Sequence, residues 1–471
     1  MNDSIPAYIE NVTYAELAVG RSASLTRALT HKDIELFAAV SGDVNPMHMD
    51  ENFARNDQFH GVIGHGMWLG GLISTLLGTA LPGPGTLYLE QDIKFKKPVR
   101  LGDMVTVTVT VREKPSSTHP VVVFDCLCAN QKGERVAEGT ATVLAPTEKT
   151  RSPRPELPDI EYRTHDRYHE IMKRCRAFEP VRTAVVHPVQ AEVITAVADA
   201  AQDELIQPVL IGPKARIAAA AKEAGVDIAP WELVDAEHSD AAAAKAAELA
   251  AAKKVEAIMK GALHTDELLH PIVAPSSGLG TGRRLSHVYV MDAPNYPKLL
   301  FITDAVVNIA PDLAAKADIC RNAIDFWHVL FAHEKREPKV ALLAAIELVN
   351  AKMPATVDAA ALCKMAERGQ IAGGVIDGPL AFDNAVSRQA ADEKGIVSDV
   401  AGDADILVVP NIEAGNMLAK QLTFLSHADA AGIVLGARVP VILTSRADNL
   451  RTRLFSCAMA VIMAHARRGG V

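Results

Sequence analysis

The chain has 471 residues, more than one hydrophobic core usually serves, so two or three domains are expected. Apolar residues make up 49% and charged residues 22%, the composition of an ordinary soluble globular protein. The formal charge of −9 argues against sequence-independent nucleic-acid binding, which needs a basic surface, and implies that an anionic substrate would rely on local cationic pockets.

The N-terminal "MNDSIPAYIE" has neither a basic start nor an apolar run, so no signal peptide is expected there. No stretch offers the ~20 uninterrupted apolar residues of a spanning helix, so no membrane partner is expected. Six cysteines, with no C-x-x-C pair, suit free thiols in a reducing cytoplasm.

Thr30 followed by Asp33 reads as a helix start, and "HKDIELFAAVSG" ends at Gly42. "SGDVNPMHMD", residues 41–50, then holds Asp43 and His48 among turn-formers. Two readings stand: Asx-type turns with a solvated histidine, or the acid/base pair of an active site held on a loop. Residues 63–81, "IGHGMWLGGLISTLLGTAL", are apolar nearly all round and predict a helix buried on several sides. "HGM" opens it, and Gly66 there can bring its backbone N–H close to a ligand.

Four strands follow. "TLYLEQDIKF", "PVVVFDCLCA" and "RVAEGTATVL" flank turn signals. "DMVTVTVTVR" alternates strictly, with Val105, Val107, Val109 and Val111 on one face and Thr106, Thr108 and Thr110 on the other. Cys126 and Cys128 share this period-two pattern and are expected to face a core. One helix wrapped by a curved antiparallel sheet is a hot-dog arrangement, an α+β domain over residues 10–146.

"APTEKTRSPRPELPD", residues 145–159, has four prolines and almost no large apolar side chains. It reads as an interdomain linker, taken as 147–162. Beyond it, over 163–471, short apolar runs ("RTAVVH", "QPVLIG", "VEAIMKG", "KVALLAA", "ADILVVP", "VPVILTSR") alternate with alanine-rich amphipathic segments such as "SDAAAAKAAELAAAKK". That rhythm predicts an α/β domain of two lobes, its sheets parallel and flanked by helices.

Several fragments of this half place polar groups at strand ends. "VPVILTSR" ends in Ser445 and Arg446, just where ligand crevices form in parallel sheets. A helix cap and an ordinary ion pair explain the same two residues equally well. "IMKGALHTDELL" ends a strand at Lys260, "GLGTGRRLSHVYVMDAP" sets Arg283 and Arg284 before another, and "VIDGPLAFDNAVS" offers a Gly-Pro turn opening a helix. Basic groups at several strand ends suggest one shared anionic ligand, against the alternative of plain surface charge.

The first half resembles the MaoC-like, (R)-specific enoyl-CoA hydratases over most of 15–145, on "FAAVSGDVNPMHMD" and "GVIGHGMWLGGLISTLLG". The resemblance implies that Asp43 and His48 activate a water for addition to a 2-enoyl-CoA, that the Gly66 N–H polarises the thioester oxygen, and that Ser74 supports the site. The second half is similar to the phosphate acetyl/butyryltransferases over nearly all of 165–465, on "KARI", "MKG", "RRLSHVYVMDAP", "FITDAVVNIAPDL", "IEAGN" (which contains Asn416) and "LTSRAD".

This second resemblance implies acyl transfer between coenzyme A and inorganic phosphate, with no metal and no further cofactor. Ser445 and Arg446 would handle the CoA sulfur and the phosphate, and Lys260, Arg283, Arg284 and Asn416 would bind substrate. Acetyl-specific members carry an aspartate where this chain reads "RTR" and an arginine near Phe424; Asp448 has a different spacing. "LTSRADN" and "KQLTF" look closer to the butyryl branch, which leaves the acyl chain open with a tilt away from strictly acetyl.

The expectation is a bifunctional enzyme acting on acyl-CoA and phosphate, assembled as a homodimer or larger. Its rival is a hydratase carrying a non-catalytic acyl-CoA sensor.

Overall fold

The protein is described by a computed structural model covering residues 8–116, 118–156, 166–443 and 448–469. It divides into two compact units, 1–162 and 163–471. Among the described residues no helix is long and apolar enough to cross a membrane.

The first unit holds strands β1 (Tyr8–Glu10), β2 (Ser22–Ala28), β3 (Leu87–Phe95), β4 (Met104–Glu113), β5 (Val121–Ala129), β6 (Arg135–Leu144) and β7 (Arg151–Pro153). Its helices are α1 (His31–Ser41), α2 (Pro46–Met49), α3 (Glu51–Asn56) and α4 (Gly66–Thr79). Five strands form an antiparallel sheet in the order β2-β4-β5-β6-β3.

The alternation in β4 works as its sequence implies. Val105, Val107, Val109 and Val111 are buried against α4, while the threonines between them face outward. Trp68, Leu69, Leu72, Ile73, Leu76 and Leu77 supply the helical side of this core. Each fully buried valine or leucine contributes about 1.5–3 kcal/mol through area removed from water. Cys126 and Cys128 are buried here as expected, and burial pushes their thiols up to about 12 and about 11.

Two expectations need correction. Helix α4 is buried on its sheet-facing side only: Gly66, Met67, Gly71, Ser74, Thr75 and Gly78 are exposed. That face carries three glycines, a serine and a threonine besides Met67, so little hydrophobic area drives it inward. The part of the linker assigned from 147 onward is in fact tied to the first unit, because β7, a three-residue strand within it, pairs antiparallel with β1. Lys149 ties it down further, donating to the Asn11 carbonyl and pairing with Glu10 and Glu16. Residues 157–165 lie outside the described set.

The second unit holds β8 (Val181–Val186), β9 (Ile206–Gly212), β10 (Glu232–Asp235), β11 (Ala257–Lys260), β12 (Ser286–Asp292), β13 (Leu300–Thr303), β14 (Lys339–Leu343), β15 (Val375–Leu380), β16 (Ile406–Val408), β17 (Asp429–Leu435) and β18 (Val441–Ile442). These strands make one continuous sheet in the order β10-β9-β8-β11-β18-β17-β12-β13-β16-β14-β15. The two lobes are its two parallel blocks, β10-β9-β8-β11-β18 and β13-β16-β14-β15, joined through antiparallel β17 and β12.

An odd number of reversals separates the blocks, so their strands run in opposite senses. The C-terminal ends of the first block lie at one edge of the sheet, those of the second at the other. Helices flank the sheet as expected. In Ser239–Ala251 the alanines 242, 243, 246, 247 and 250 are buried, which lets that helix pack closely while its charges face water. The Gly-Pro pair of "VIDGPLAFDNAVS" is not a turn opening a helix. Gly378 and Pro379 lie inside β15, and the helix that follows, Phe382–Val386, has only five residues. A Cβ on Gly378 would fall 2.7 Å from Leu342, so glycine is required for β15 to lie against β14.

Leu77 is fully buried where α4 meets the sheet. Leu77→Ala should cost about 2–5 kcal/mol. Amide protons of β4 should then exchange about thirty-fold faster or more; unchanged exchange would mean that α4 does not anchor this sheet.

Candidate active sites

In the first unit the chain leaves α1 through a defined stop. Thr30 and Asp33 form a reciprocal capping box at the start, and Gly42 takes the left-handed conformation at the end (φ 77°). Asn45 then caps α2, with Pro46 at its first position. This short helix turns His48 inward, where it is 9% exposed. The Asp43 carboxylate stays exposed and accepts the Asn45 N–H at 3.3 Å. The Asx turn is therefore real, but the solvated histidine is not.

His48 Nδ1 lies 2.8 Å from the Ile63 carbonyl oxygen. A carbonyl only accepts, so Nδ1 carries a proton, and in the neutral ring the lone pair is on Nε2. A third group, His65 of "HGM", joins Asp43 and His48 without any signal in the spacing of the sequence. Its Nε2 donates to the Asp43 backbone oxygen at 2.9 Å, and its ring packs 4.0 Å from that of His48. Phe37 covers the other contact of that ring at 4.9 Å. Ligand-type atoms of Asp43, His48 and His65 all lie within 4.8 Å of one another, so the same three groups have the donor set of a small metal site.

Gly66 is the first residue of α4, and the N–H groups of a first turn have no partner inside the helix. A Cβ at Gly66 would meet the Phe95 ring at 3.0 Å, so glycine keeps the approach to this end open. Ser74 is exposed on the same face two turns further on, about 12 Å along the axis. It can meet a substrate laid along that face, but is remote from the helix start.

In the second unit, β9 and β10 extend one side of β8 while β11 and β18 extend the other. Such a reversal opens a crevice beyond the C-terminal ends of the two strands at its centre. A cavity of about 440 Å³ lies there, lined by Gln190, Glu192, Lys260, Gly261 and Arg453. The helix Ala191–Gln202 opens into it with no side-chain cap, so its first N–H groups face the space. A Cβ on Gly261 would fall 2.2 Å from the Val186 carbonyl, so only glycine lets β8 and β11 end side by side. Nearby His187 is buried, which lowers its affinity for a proton.

Ser445 and Arg446 lie in 444–447, outside the described residues. Asp448 is described, and its charge reaches Tyr289, whose phenol is pushed up to about 12, first by burial and then by that charge. His287 packs edge-on against Tyr289 at 4.4 Å and is fully buried, which lowers its pKa to about 3. Neither ring was singled out from sequence, since "SHVYV" reads simply as a strand.

The expected single anion site does not form. Arg283 and Arg284 precede β12, whereas Lys260 ends β11, and these two strands point the same way. The arginines are thus at the opposite edge, about 20 Å away along the strands. There Arg283 pairs with Asp325 at 2.5 Å, and Arg284 Nε donates to Asn308 Oδ1 at 2.8 Å. Asn416 is at this edge too, 3.5 Å from the Ala305 carbonyl. A second cavity of about 410 Å³ lies beside Arg283, Arg284 and Asn308. The basic groups divide because the two blocks have opposite polarity.

Residues 239–461 match the family Phosphate acetyl/butaryl transferase, and residues 15–125 match the MaoC like domain. The phosphate acetyltransferase of Rhizobium meliloti is 56% identical over 64% of this chain and 95% of its own length. A branched-chain phosphotransacylase from Enterococcus faecalis superposes with a TM-score of 0.54 at 31% identity, covering 60% of this chain and 99% of its own. The R-hydratase of Pseudomonas aeruginosa is 44% identical over 33% of this chain and 99% of its own, with a TM-score of 0.32. The chain belongs to the phosphate acetyl/butyryltransferase family and carries a MaoC-like hot-dog domain ahead of the transferase domain.

Proposed function

We propose that the chain is a bifunctional enzyme that hydrates 2-enoyl-CoA to (R)-3-hydroxyacyl-CoA and transfers an acyl group between coenzyme A and inorganic phosphate. The hydratase reading is supported by one observation: ligand-type atoms of Asp43 and His48 lie within 4.8 Å of each other, beside His65 at the N-cap of α4. A water held between them loses a proton as its oxygen bonds C3 of the enoyl group, and the pair returns a proton to C2. Negative charge builds on the thioester oxygen during this step. The Gly66 N–H is the donor proposed for it, and such a donor is worth about 3–4 kcal/mol.

The transferase reading is supported by the family and by the crevice at the end of β8 and β11. An oxygen of phosphate attacks the thioester carbonyl, the C–S bond breaks, and the thiolate leaves with the electron pair. Ser445 and Arg446 are assigned to this step by the resemblance, the serine beside the sulfur and the guanidinium on the phosphate. Lys260 lies at the crevice wall and suits an anion. The identity of 56% with an acetyl-named relative favours acetyl over the longer acyl groups that "KQLTF" points to.

Neither step as written uses a metal or a further cofactor. A homodimer or larger assembly is part of the reading, supported in the first unit by the exposed apolar side chains Met67, Leu87, Leu89 and Phe95.

Asp43→Asn should lower hydration of crotonyl-CoA about a hundred-fold or more and leave acetyl phosphate formation intact. Loss of both activities would mean that the units do not act separately. Arg446→Ala should raise the phosphate concentration for half-maximal transfer about ten-fold or more; an unchanged phosphate dependence would remove Arg446 from the site.

A further inference from the structure

We infer that the second unit carries a separate anion site, fitted to a nucleoside diphosphate, at the strand-start edge of its first parallel block. A cavity of about 410 Å³ lies there, a volume within the range of small-molecule pockets. Six cationic side chains line it: Arg182, Lys253, Lys254, Arg438, Arg467 and Arg468. Glu256 is the one acid in its wall.

The topology gathers these charges. Arg182 is the second residue of β8, Lys253 and Lys254 lead into β11, and Arg438 leads into β18. All three strands are parallel, so their starts converge. The crevice at Lys260 lies at the other ends of the same strands, about 20 Å away. One occupant cannot fill both.

Two helix C-termini, Ala251 and Arg468, also point to this edge, and cations commonly sit at such ends. That role accounts for part of the set. Arg467 donates to the carbonyls of Arg438 and Ala437. Arg468 is held by both oxygens of Glu256, and Arg182 pairs with Glu232. Among the described residues Lys253, Lys254 and Arg438 have no carboxylate partner, although the protein as a whole is acidic. Three unpaired cations around one hollow, backed by Arg467, are a charge excess that a di-anionic phosphate group would neutralise.

The floor is apolar, built from Ala250, Val255, Leu279, Val439 and Ala464. A flat ring can lie on it while a guanidinium stacks above, which suits a nucleoside better than bare pyrophosphate.

The test is calorimetric titration of ADP into the full chain with CoA present at saturation, so that CoA subsites are occupied. Wild type should bind with a Kd below about 1 mM, and Lys253→Glu/Arg438→Glu should weaken this about ten-fold or more. Both side chains are exposed and outside the strands, and an unchanged melting temperature of the double variant shows that it is folded. No saturable binding to wild type, or binding that survives the charge reversal in the folded variant, overturns the site. This outcome is independent of whether the unit transfers acyl groups.

Discussion

Strand direction decides what each edge of the large sheet can do. Helix N-termini and loop side chains gather at the C-terminal ends of parallel strands, so a block of one polarity opens its switch-point crevice at that edge. The second unit contains two such blocks with opposite polarity, joined by β17 and β12. Lys260 and the start of Ala191–Gln202 therefore face one edge, while Arg284, Asn308 and Asn416 face the other. The proposed chemistry is assigned to the first edge of the first block because Lys260 and the uncapped start of Ala191–Gln202 line one cavity there.

The first unit uses a smaller constraint to the same end. The Ile63 carbonyl can only accept, and that fixes the proton of His48 on Nδ1. His48 and Asp43 have ligand-type atoms within 4.8 Å of each other, and the Asp43 backbone is held by His65 from the N-cap of α4. Helix α4 thus serves twice. Its leucines anchor the sheet, and its first turn brings His65 and Gly66 to the reacting groups.

Much of this was legible in the sequence, for identifiable reasons. The period-two valines of β4, the Thr30–Asp33 capping box and the β-then-α rhythm after residue 163 each record a local rule that tertiary packing did not override. Asp43 and His48 were visible because both chemical groups sit within the short stretch 41–50, although His48 is carried by α2. His65 was harder: its role depends on a contact across 22 residues to a backbone oxygen, and no spacing rule reports that. The bare face of α4 differs from the expectation because its glycines, Ser74 and Thr75 supply little apolar area to bury, and only Met67 on it is large. The division of Lys260 from Arg283 and Arg284 was also hidden, since strand polarity follows from the connections and not from the residues at the strand ends. The pairing of β7 with β1 depends on partners about 140 residues apart, beyond the reach of a composition argument.

Both units, in this account, stabilise charge that develops on a CoA thioester, one at its oxygen and the other at its sulfur. The most direct measurement is to assay one preparation of the full chain for two products: (R)-3-hydroxybutyryl-CoA from crotonyl-CoA and water, and acetyl phosphate from acetyl-CoA and phosphate. The account predicts that both accumulate, each in the absence of the other substrate. A chain that binds acetyl-CoA yet forms no acetyl phosphate would be a hydratase with a sensor, and one that leaves crotonyl-CoA unchanged would contradict the role given to Asp43 and His48.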